Sequence, residues 1–308
     1  MSDLNAPAEQ PVPLGRSFAV QGRKLLAYSA GTAARPPVVL LPGGGSVGLD
    51  LWPVLDGVGQ FATAITYDRG GTGWSDREVR LPRSLAAVTE ELLELLRVAD
   101  VAGPYIFVGH SLGGFYARYL AARHPEHVAG MVLLETGHED LRKYMPKELT
   151  DRWDAFDPDQ ELPDVLPQEV ADFYRGLFEQ EMTAWPAEIR EPLIANHVHP
   201  DWLRVGMREA ANISALNDEM RAAGPAPAEL PMISLTAMDI DPFKRAVSMG
   251  VSDELLQAET EAKLRLYDEL AATFTRGENR RIAGVGHATL PMRRPDAVVQ
   301  AVRDLMAR

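Results

Sequence analysis

The sequence contains no cysteine among its 308 residues. This absence excludes a disulfide framework, a thiolate metal site and a cysteine nucleophile. Positive charge is also scarce, because 31 lysine and arginine residues stand against 44 aspartate and glutamate residues, for a net charge of −13. A broad nucleic-acid interface needs a basic face, so we expect no nucleic-acid partner for this chain.

Long apolar runs are missing as well. No run approaches the roughly 18 residues that a membrane span requires, so we expect no membrane partner. Residues 1–15 are polar and proline-rich, which predicts a flexible N-terminal segment without the apolar stretch of a secretory signal. The expected location is therefore the cytoplasm. The composition is that of an ordinary globular protein, with 46% hydrophobic and 24% charged residues, which disfavours disorder and coiled coil.

Short apolar runs alternate with helical patterns along most of the chain. Leu85–Val98 carries apolar residues at helical spacing, while Tyr105–Val108 and Val128–Leu134 are typical of buried strands. This alternation predicts an α/β fold with a mostly parallel central sheet flanked by helices. We assign residues 16–136 and 231–308 to this core.

Residues 137–230 interrupt the alternation with consecutive helical patterns. We predict that this segment is a helical cap, or lid, inserted into the core. It contains 20 acidic and 9 basic residues, so most of the net negative charge lies here, most densely from Asp151 to Asp164. A charge run of this kind is typical of a solvated outer face.

The run Gly-His-Ser-Leu-Gly-Gly at 109–114 follows a predicted strand and opens a predicted helix. It matches the G-x-S-x-G nucleophile elbow in the strand–turn–helix context that this motif requires. The glycines permit a strained turn that pushes the Ser111 hydroxyl out at the carboxyl edge of the sheet. The run therefore predicts Ser111 as a nucleophile.

Two further motifs support this interpretation. His287, in a Gly-His pair, lies after the last predicted strand and before the last helix, where a general base can approach Ser111. The run Pro-Gly-Gly-Gly at 42–45 leaves the third predicted strand, where backbone N–H groups can point at an oxyanion. The order of serine, acid and histidine also matches the order known for this arrangement.

At these positions the chain resembles the α/β-hydrolase superfamily. The resemblance rests on Leu-Leu-Pro-Gly-Gly at 40–44, Tyr-Asp-Arg-Gly-Gly-Thr-Gly-Trp-Ser at 67–75, the elbow at 109–114 and Gly-His at 286–287. It implies that the N–H groups of Gly44 and Leu112 form an oxyanion hole. The family often carries His-Gly where this chain has Pro-Gly at 42–43, which leaves open how the loop itself is held.

Two positions can supply the carboxylate that orients the imidazole. Glu135 ends the strand after the elbow helix, whereas Asp241 and Asp239 follow the next core strand, the commoner family position. The 46 residues from Asp241 to His287 hold a whole helix, which is longer than the usual connection. The early position resembles that of haloalkane dehalogenases and zearalenone-type lactone hydrolases. Glu135 is preferred, with Asp241 and then Asp239 as the alternatives.

Other patterns suggest ligands that we do not expect. Residues 43–48 match G-x-G-x-x-G, and Asp68 lies 20 residues beyond, but the loop follows the third predicted strand and not the first of a βαβ unit. His197 and His199 have a spacing that can bind a metal, yet few carboxylates lie nearby. We therefore predict no cofactor and no metal.

Together these features predict a serine hydrolase that cleaves a carboxylic ester or lactone of a bulky, largely apolar small molecule. The candidate pocket residues are Gly45, His110, Trp185 and Trp202. Serine at the elbow argues against haloalkane dehalogenases and epoxide hydrolases, which use aspartate there. Carbon–carbon bond hydrolysis, perhydrolysis, biosynthetic cyclisation and a ligand sensor without turnover stay open as alternatives. The sequence does not indicate whether the protein is a monomer or an oligomer.

Overall fold

Eight strands pair into one sheet in the computed structural model, which describes residues 14–32, 36–155, 157 and 165–308. The strand order is β1-β2-β4-β3-β5-β6-β7-β8, and only the pairs β1·β2 and β2·β4 are antiparallel. The strands are Arg16–Val20 (β1), Arg23–Ala30 (β2), Val38–Leu41 (β3), Ala64–Tyr67 (β4), Tyr105–His110 (β5), Val128–Leu134 (β6), Met232–Ala237 (β7) and Gly277–Ile282 (β8).

Thirteen α-helices connect and cover these strands within the described ranges. They are Trp52–Gly59 (α1), Leu85–Val98 (α2), Leu112–Arg123 (α3), Leu141–Tyr144 (α4), Lys147–Asp154 (α5), Gln168–Glu181 (α6), Ala187–His197 (α7), Pro200–Ala211 (α8), Ile213–Ala223 (α9), Pro242–Val247 (α10), Asp253–Ala272 (α11), Leu290–Arg293 (α12) and Pro295–Met306 (α13). Short 3₁₀ turns at Gly48–Leu51 and Pro125–His127 precede α1 and β6. The predicted mostly parallel sheet flanked by helices is confirmed.

Two apolar layers hold the helices against the sheet. Side chains alternate across a strand, so Leu40 of β3 joins the layer under α1 and α13, while Val39 and Leu41 join the layer under α2 and α3. All residues of β3, β4, β5 and β7 are buried, as expected for parallel strands covered on both faces. Because β3, β5, β6, β7 and β8 are parallel to one another, their carboxyl ends lie at the same edge of the sheet.

Helices α4 to α9 lie between β6 and β7 in the chain, within the segment 137–230 that we predict to be a cap. Ile189 and Leu193 of α7, with Met182 and Trp185 just before it, belong to the same buried cluster as Leu40 of β3, whereas Leu216 and Met220 of α9 belong to the cluster of Leu41. Residues 156 and 158–164 lie outside the described residues, as does much of the acidic stretch and most of the predicted N-terminal segment 1–15. No helix in the described part of the chain is both long and apolar enough to cross a membrane.

Some strands and helices of the structure have no clear pattern of apolar residues in the sequence. Strand β8 begins at Gly277 with polar residues that give no apolar strand pattern, because Glu278 and Asn279 pair with β7 at the partly exposed edge of the sheet. The short helices α1, α10 and α12 were not predicted, since each contains a proline in its first turn and is too short for a clear apolar periodicity.

Substitution of Gly113 tests how closely α3 packs on the sheet. A Cβ at Gly113 would lie 2.0 Å from the carbonyl oxygen of Leu41, so Gly113→Ala should lower the free energy of unfolding by roughly 1–3 kcal/mol. Gly176 in α6 has no heavy atom within 4 Å of an added Cβ, and Gly176→Ala should stabilise by up to about 1 kcal/mol. Urea unfolding measures both; a neutral Gly113→Ala would contradict the packing described.

Candidate active site

Ser111 stands at the turn between β5 and α3 with a backbone conformation that side chains rarely adopt, φ 51° and ψ −115°. Its N–H donates to the carbonyl of Leu134 at 3.0 Å, and its own carbonyl accepts from Gly114 and Gly137, each at 2.9 Å. Left-handed backbone at a serine costs about 1–3 kcal/mol and persists only where the surroundings fix it. These bonds fix the turn, and the side chain of Ser111 lines a cavity at the carboxyl edge of the sheet.

Glu135 and His287 meet at the same cavity. Glu135 directly follows β6, and its Oε2 lies 3.0 Å from Nδ1 of His287, in the loop between β8 and α12. A carboxylate can only accept, so Nδ1 carries the hydrogen and Nε2 of the neutral imidazole is left to accept a proton. The structure thus places Ser111, His287 and Glu135 around one cavity, with the carboxylate bonded to Nδ1 of the imidazole.

The charge of Glu135 is held by a lysine that the sequence interpretation missed. Glu135 is only 3% exposed, and burial alone would raise its pKa, but the ammonium of Lys263 and the hydrogen bond from His287 lower that pKa to about 2. Lys263 Nζ lies 3.3 Å from Glu135 Oε2 and 3.3 Å from Glu259 Oε1, and Lys244 also binds Glu259. Two carboxylates and two ammonium groups therefore form an ion-pair network without net charge, which begins at the carboxylate bonded to the imidazole.

Neither alternative acid contacts the imidazole. Asp241 is buried and accepts the N–H groups of Lys244 and Ala288, each at 2.7 Å. Asp239 is exposed and accepts the N–H of Gly284 at 2.6 Å. Asp241 caps helix α10 and holds the loop that carries His287, while Asp239 binds a turn before that loop.

The expected oxyanion donors lie beside the nucleophile. Gly44 and Leu112 both line the cavity with Ser111, and Leu112 opens α3, where the first N–H groups of a helix have no partner within it. Arg69, a second residue that the sequence interpretation missed, holds the loop: its guanidinium donates to the carbonyls of Pro42 at 2.9 Å and Gly43 at 2.8 Å. The buried guanidinium of Arg69 thus fixes the backbone of the loop that carries Gly44.

The cavity has a volume of about 770 Å³. Besides the residues already placed, its wall includes apolar side chains of the elbow helix and of the segment 137–230, among them Phe115, Leu141, Trp153 and Ile213. The size falls in the range of small-molecule sites, which are concave and mostly apolar with a few polar groups.

None of the four residues expected in the substrate pocket lines this cavity. Trp185, just before α7, is buried in the apolar cluster that also contains Leu40 of β3. Trp202 and Gly45 line a separate cavity of about 210 Å³. His110 is buried beneath the loop of His287.

His110 supports the loop of His287 from below. Its Nε2 lies 2.9 Å from the carbonyl oxygen of His287, which can only accept, so Nε2 carries the hydrogen. Burial and the neighbouring imidazole of His287 lower the pKa of His110 to about 4. The side chain is therefore a neutral donor at neutral pH.

The patterns that suggested other ligands have structural partners. Asp68 is fully buried and accepts the N–H groups of Gly48 and Trp74, so it cannot face a ribose. His197 bonds Asp50 at 2.7 Å, and His199 accepts the N–H of Asp201 at the start of α8. In the described ranges no three His, Asp or Glu side chains are grouped to hold a metal ion.

Comparison with known proteins identifies the same fold. A family model for the alpha/beta hydrolase fold matches residues 36–186. An AB hydrolase superfamily protein of Gibberella zeae is 30% identical over 112 residues, which are 35% of this chain and 35% of that protein. The chain spans 13% to 38% of the length of the first curated relatives that it matches.

Solved structures match over almost the whole chain. Est816, described as an N-acyl homoserine lactone degrading enzyme, has a TM-score of 0.60 at 20% identity and covers 94% of this chain and 99% of its own. The Cif epoxide hydrolase from Acinetobacter nosocomialis has a TM-score of 0.67 at 17% identity and covers 98% and 90%. At these identities the likeness shows the fold.

The shifted pKa values predict how acid destabilises the protein. As the pH falls from 6.5 to 4, the unfolded chain binds a proton at His110 that the folded chain does not, so this group alone should lower the free energy of unfolding by up to about 1.4 kcal/mol per pH unit. His138, whose pKa burial also lowers to about 4, adds to this fall, whereas buried Asp68, whose pKa is raised to about 7, opposes it. The depressed pKa of Glu135 stabilises the fold above pH 4.5, and that contribution is lost as the pH falls towards 2.

Urea unfolding of variants between pH 7 and 3 separates the two windows. His110→Gln retains a donor for the His287 carbonyl and should remove only the contribution of His110, which lowers the slope of stability against pH between pH 6.5 and 4 by up to about 1.4 kcal/mol per pH unit. Glu135→Gln should leave that fall in place and flatten the lower window. An unchanged slope in His110→Gln would show that His110 is not the responsible group.

Proposed function

Because the chain belongs to the α/β-hydrolase superfamily, we propose that it is a serine hydrolase that cleaves a carboxylic ester or lactone of a bulky, largely apolar small molecule. The observation that carries this proposal is the 3.0 Å contact between Glu135 Oε2 and His287 Nδ1, beside a cavity that Ser111 also lines. Nucleophile, base and orienting acid each come from a different strand end.

In the proposed acylation step, His287 Nε2 takes the proton of Ser111 Oγ as that oxygen bonds to the carbonyl carbon. The N–H groups of Gly44 and Leu112 hold the negative charge on the former carbonyl oxygen. The bond to the leaving oxygen then breaks, and this oxygen receives the proton from His287. With a lactone, the leaving hydroxyl stays attached to the acyl group.

Hydrolysis of the acyl-enzyme uses the same groups. His287 takes a proton from water, the water oxygen attacks the acyl carbon, and Ser111 leaves with the proton returned by His287. Glu135 stabilises the imidazolium in both steps, and Lys263 keeps that carboxylate ionised although it is buried. The ion pairs among Lys263, Glu259 and Lys244 hold Lys263 beside Glu135 and so stabilise the ionised form of the Glu135 carboxyl.

The size of the cavity and the apolar part of its wall support the proposed substrate class. A volume of about 770 Å³ accommodates a small molecule, and Phe115, Leu141, Trp153 and Ile213 offer apolar contact. We infer that residues 137–230 act as the cap over this cavity, since several of these wall residues belong to that segment.

Removal of the nucleophile tests the proposal. The wild-type protein should release p-nitrophenol from short-chain p-nitrophenyl esters with an initial burst, and Ser111→Ala should lower kcat by about 10⁴-fold or more. Ser84→Ala is the matched control, because Ser84 only caps helix α2 and its loss should cost about 1 kcal/mol of stability without changing kcat. Tight binding of small molecules without turnover by the wild type would favour the ligand sensor instead.

The acid is tested by a pair of amide variants. Glu135→Gln removes the charge that fixes the imidazole tautomer and should lower kcat by about 10⁴-fold. Asp239→Asn changes an exposed carboxylate that accepts the N–H of Gly284 and does not contact the imidazole, so it should leave kcat within about twofold of the wild type. A full loss in Asp239→Asn with normal turnover in Glu135→Gln would reverse the assignment.

A further inference from the structure

Helix α8 rests directly on the loop that carries Gly44. Gly206 and Glu209 lie three positions apart in α8 and so share one face. A Cβ added to Gly45 would lie 3.0 Å from the Gly206 Cα, and one added to Gly206 would lie 3.2 Å from the Gly45 Cα. The backbones of helix and loop are therefore in contact, with no room for a side chain between them.

Glu209 bonds the loop one turn further along this face. Its Oε2 accepts the N–H of Gly45 at 2.7 Å and a proton of Arg69 at 3.0 Å, while Oε1 accepts from Arg69 Nε at 3.1 Å. Arg69 is 2% exposed and the side chain of Glu209 is 8% exposed, so neither charge is balanced by water. A buried ion pair that loses one partner leaves an uncompensated charge, so the two residues depend on each other.

These bonds fix the peptide groups on both sides of Gly44. The Gly44 N–H belongs to the same planar peptide as the Gly43 carbonyl, and in a trans peptide the two point in opposite directions. Because Arg69 holds the Gly43 carbonyl at 2.8 Å, the Gly44 N–H is directed away from Arg69. Glu209 holds the N–H of the following peptide, at Gly45, so the loop cannot rotate about Gly44 without losing a short bond.

We propose that Glu209 is a positioning residue of the oxyanion hole, so that the Gly44 donor reaches its working orientation only when α8 is seated on the loop. This inference rests on the proposed function. Gly206 and Glu209 also line the cavity, which means that one helix both bounds the substrate and completes the hole that stabilises its transition state. Arg69 passes the constraint from Glu209 to the Gly43 carbonyl.

The first test measures kcat and KM of Glu209→Ala with a p-nitrophenyl ester. Loss of one oxyanion donor typically lowers kcat by about 10²–10³-fold, so a misdirected Gly44 N–H should lower kcat by between 10-fold and that amount while KM changes less than about threefold. The Kd of a trifluoromethyl ketone, whose hemiketal with Ser111 carries an oxyanion, should rise by a similar factor. Glu209→Gln, which can still accept the Gly45 N–H, should recover part of the loss.

Glu219→Ala is the matched control. Glu219, in the neighbouring helix α9, also joins the segment 137–230 to the core, by accepting the N–H groups of Leu85 and Ala86 at 2.7 and 2.8 Å. Its loss should destabilise the protein without lowering kcat more than twofold. An equal loss of kcat in Glu219→Ala, or a kcat within twofold of the wild type in Glu209→Ala, would overturn the proposal.

A second variant distinguishes a loss of positioning from a loss of folded protein. Gly206→Ala favours the helix but presses a methyl group against the Gly45 backbone, so it should lower kcat while its Tm falls less than that of Glu209→Ala, which leaves the buried Arg69 charge unpaired. Hydrogen exchange at the Gly45 amide, read without substrate, should accelerate in Glu209→Ala and stay unchanged in Glu219→Ala. If the wild type shows no Ser111-dependent turnover, the proposed function fails. Unchanged Gly45 exchange in Glu209→Ala would overturn the positioning role whether or not there is turnover.

Discussion

The first turn of α3 is wedged between the ends of two strands, and the geometry of the site depends on that contact. A Cβ at Gly113 would meet the Leu41 carbonyl at 2.0 Å, and one at Gly114 would meet Thr136 Oγ1 at 2.1 Å. Leu41 ends β3, just before the loop of Gly44, and Thr136 follows Glu135. Because α3 touches both exits, the turn at Ser111 is held at fixed distances from the oxyanion loop and from the acid.

The buried charged side chains around the first turn of α3 are paired with side chains of opposite charge. Glu135 is balanced by Lys263 and Glu259 by Lys244, while Arg69 is balanced by Glu209. A lone buried ion would be expensive, whereas a paired one with further hydrogen bonds can be retained for its geometric effect. In both groups this effect is directional: one sets the tautomer of an imidazole, and the other sets the plane of a peptide.

Most of the fold could be predicted from local pattern, but the support of the site could not. Helix α2 has the predicted bounds, Leu85–Val98, since its apolar residues recur every three or four positions and Ser84 caps its start. The elbow at Ser111 is also a local signal, because strand, glycine turn and helix follow one another in the chain. Lys263 bonds a residue 128 positions away and Glu209 one 164 positions away, so nothing in the neighbouring sequence indicates either contact. Trp185 and Trp202 lie away from the cavity of Ser111, and the sequence could not indicate this, because large apolar side chains look alike in sequence whether they pack in a core or line a pocket.

The pairing of Lys263 with Glu135 also constrains how this chain can evolve. A descendant that moved its acid from the end of β6 to the end of β7 would have to lose the Glu135 carboxylate, which would strand a buried ammonium beside a single remaining partner, Glu259. Replacing Lys263 first would instead leave Glu135 without its strongest counter-charge. Each single exchange leaves a buried charge without its main partner, so we expect the acid to move to β7 only if both residues change together.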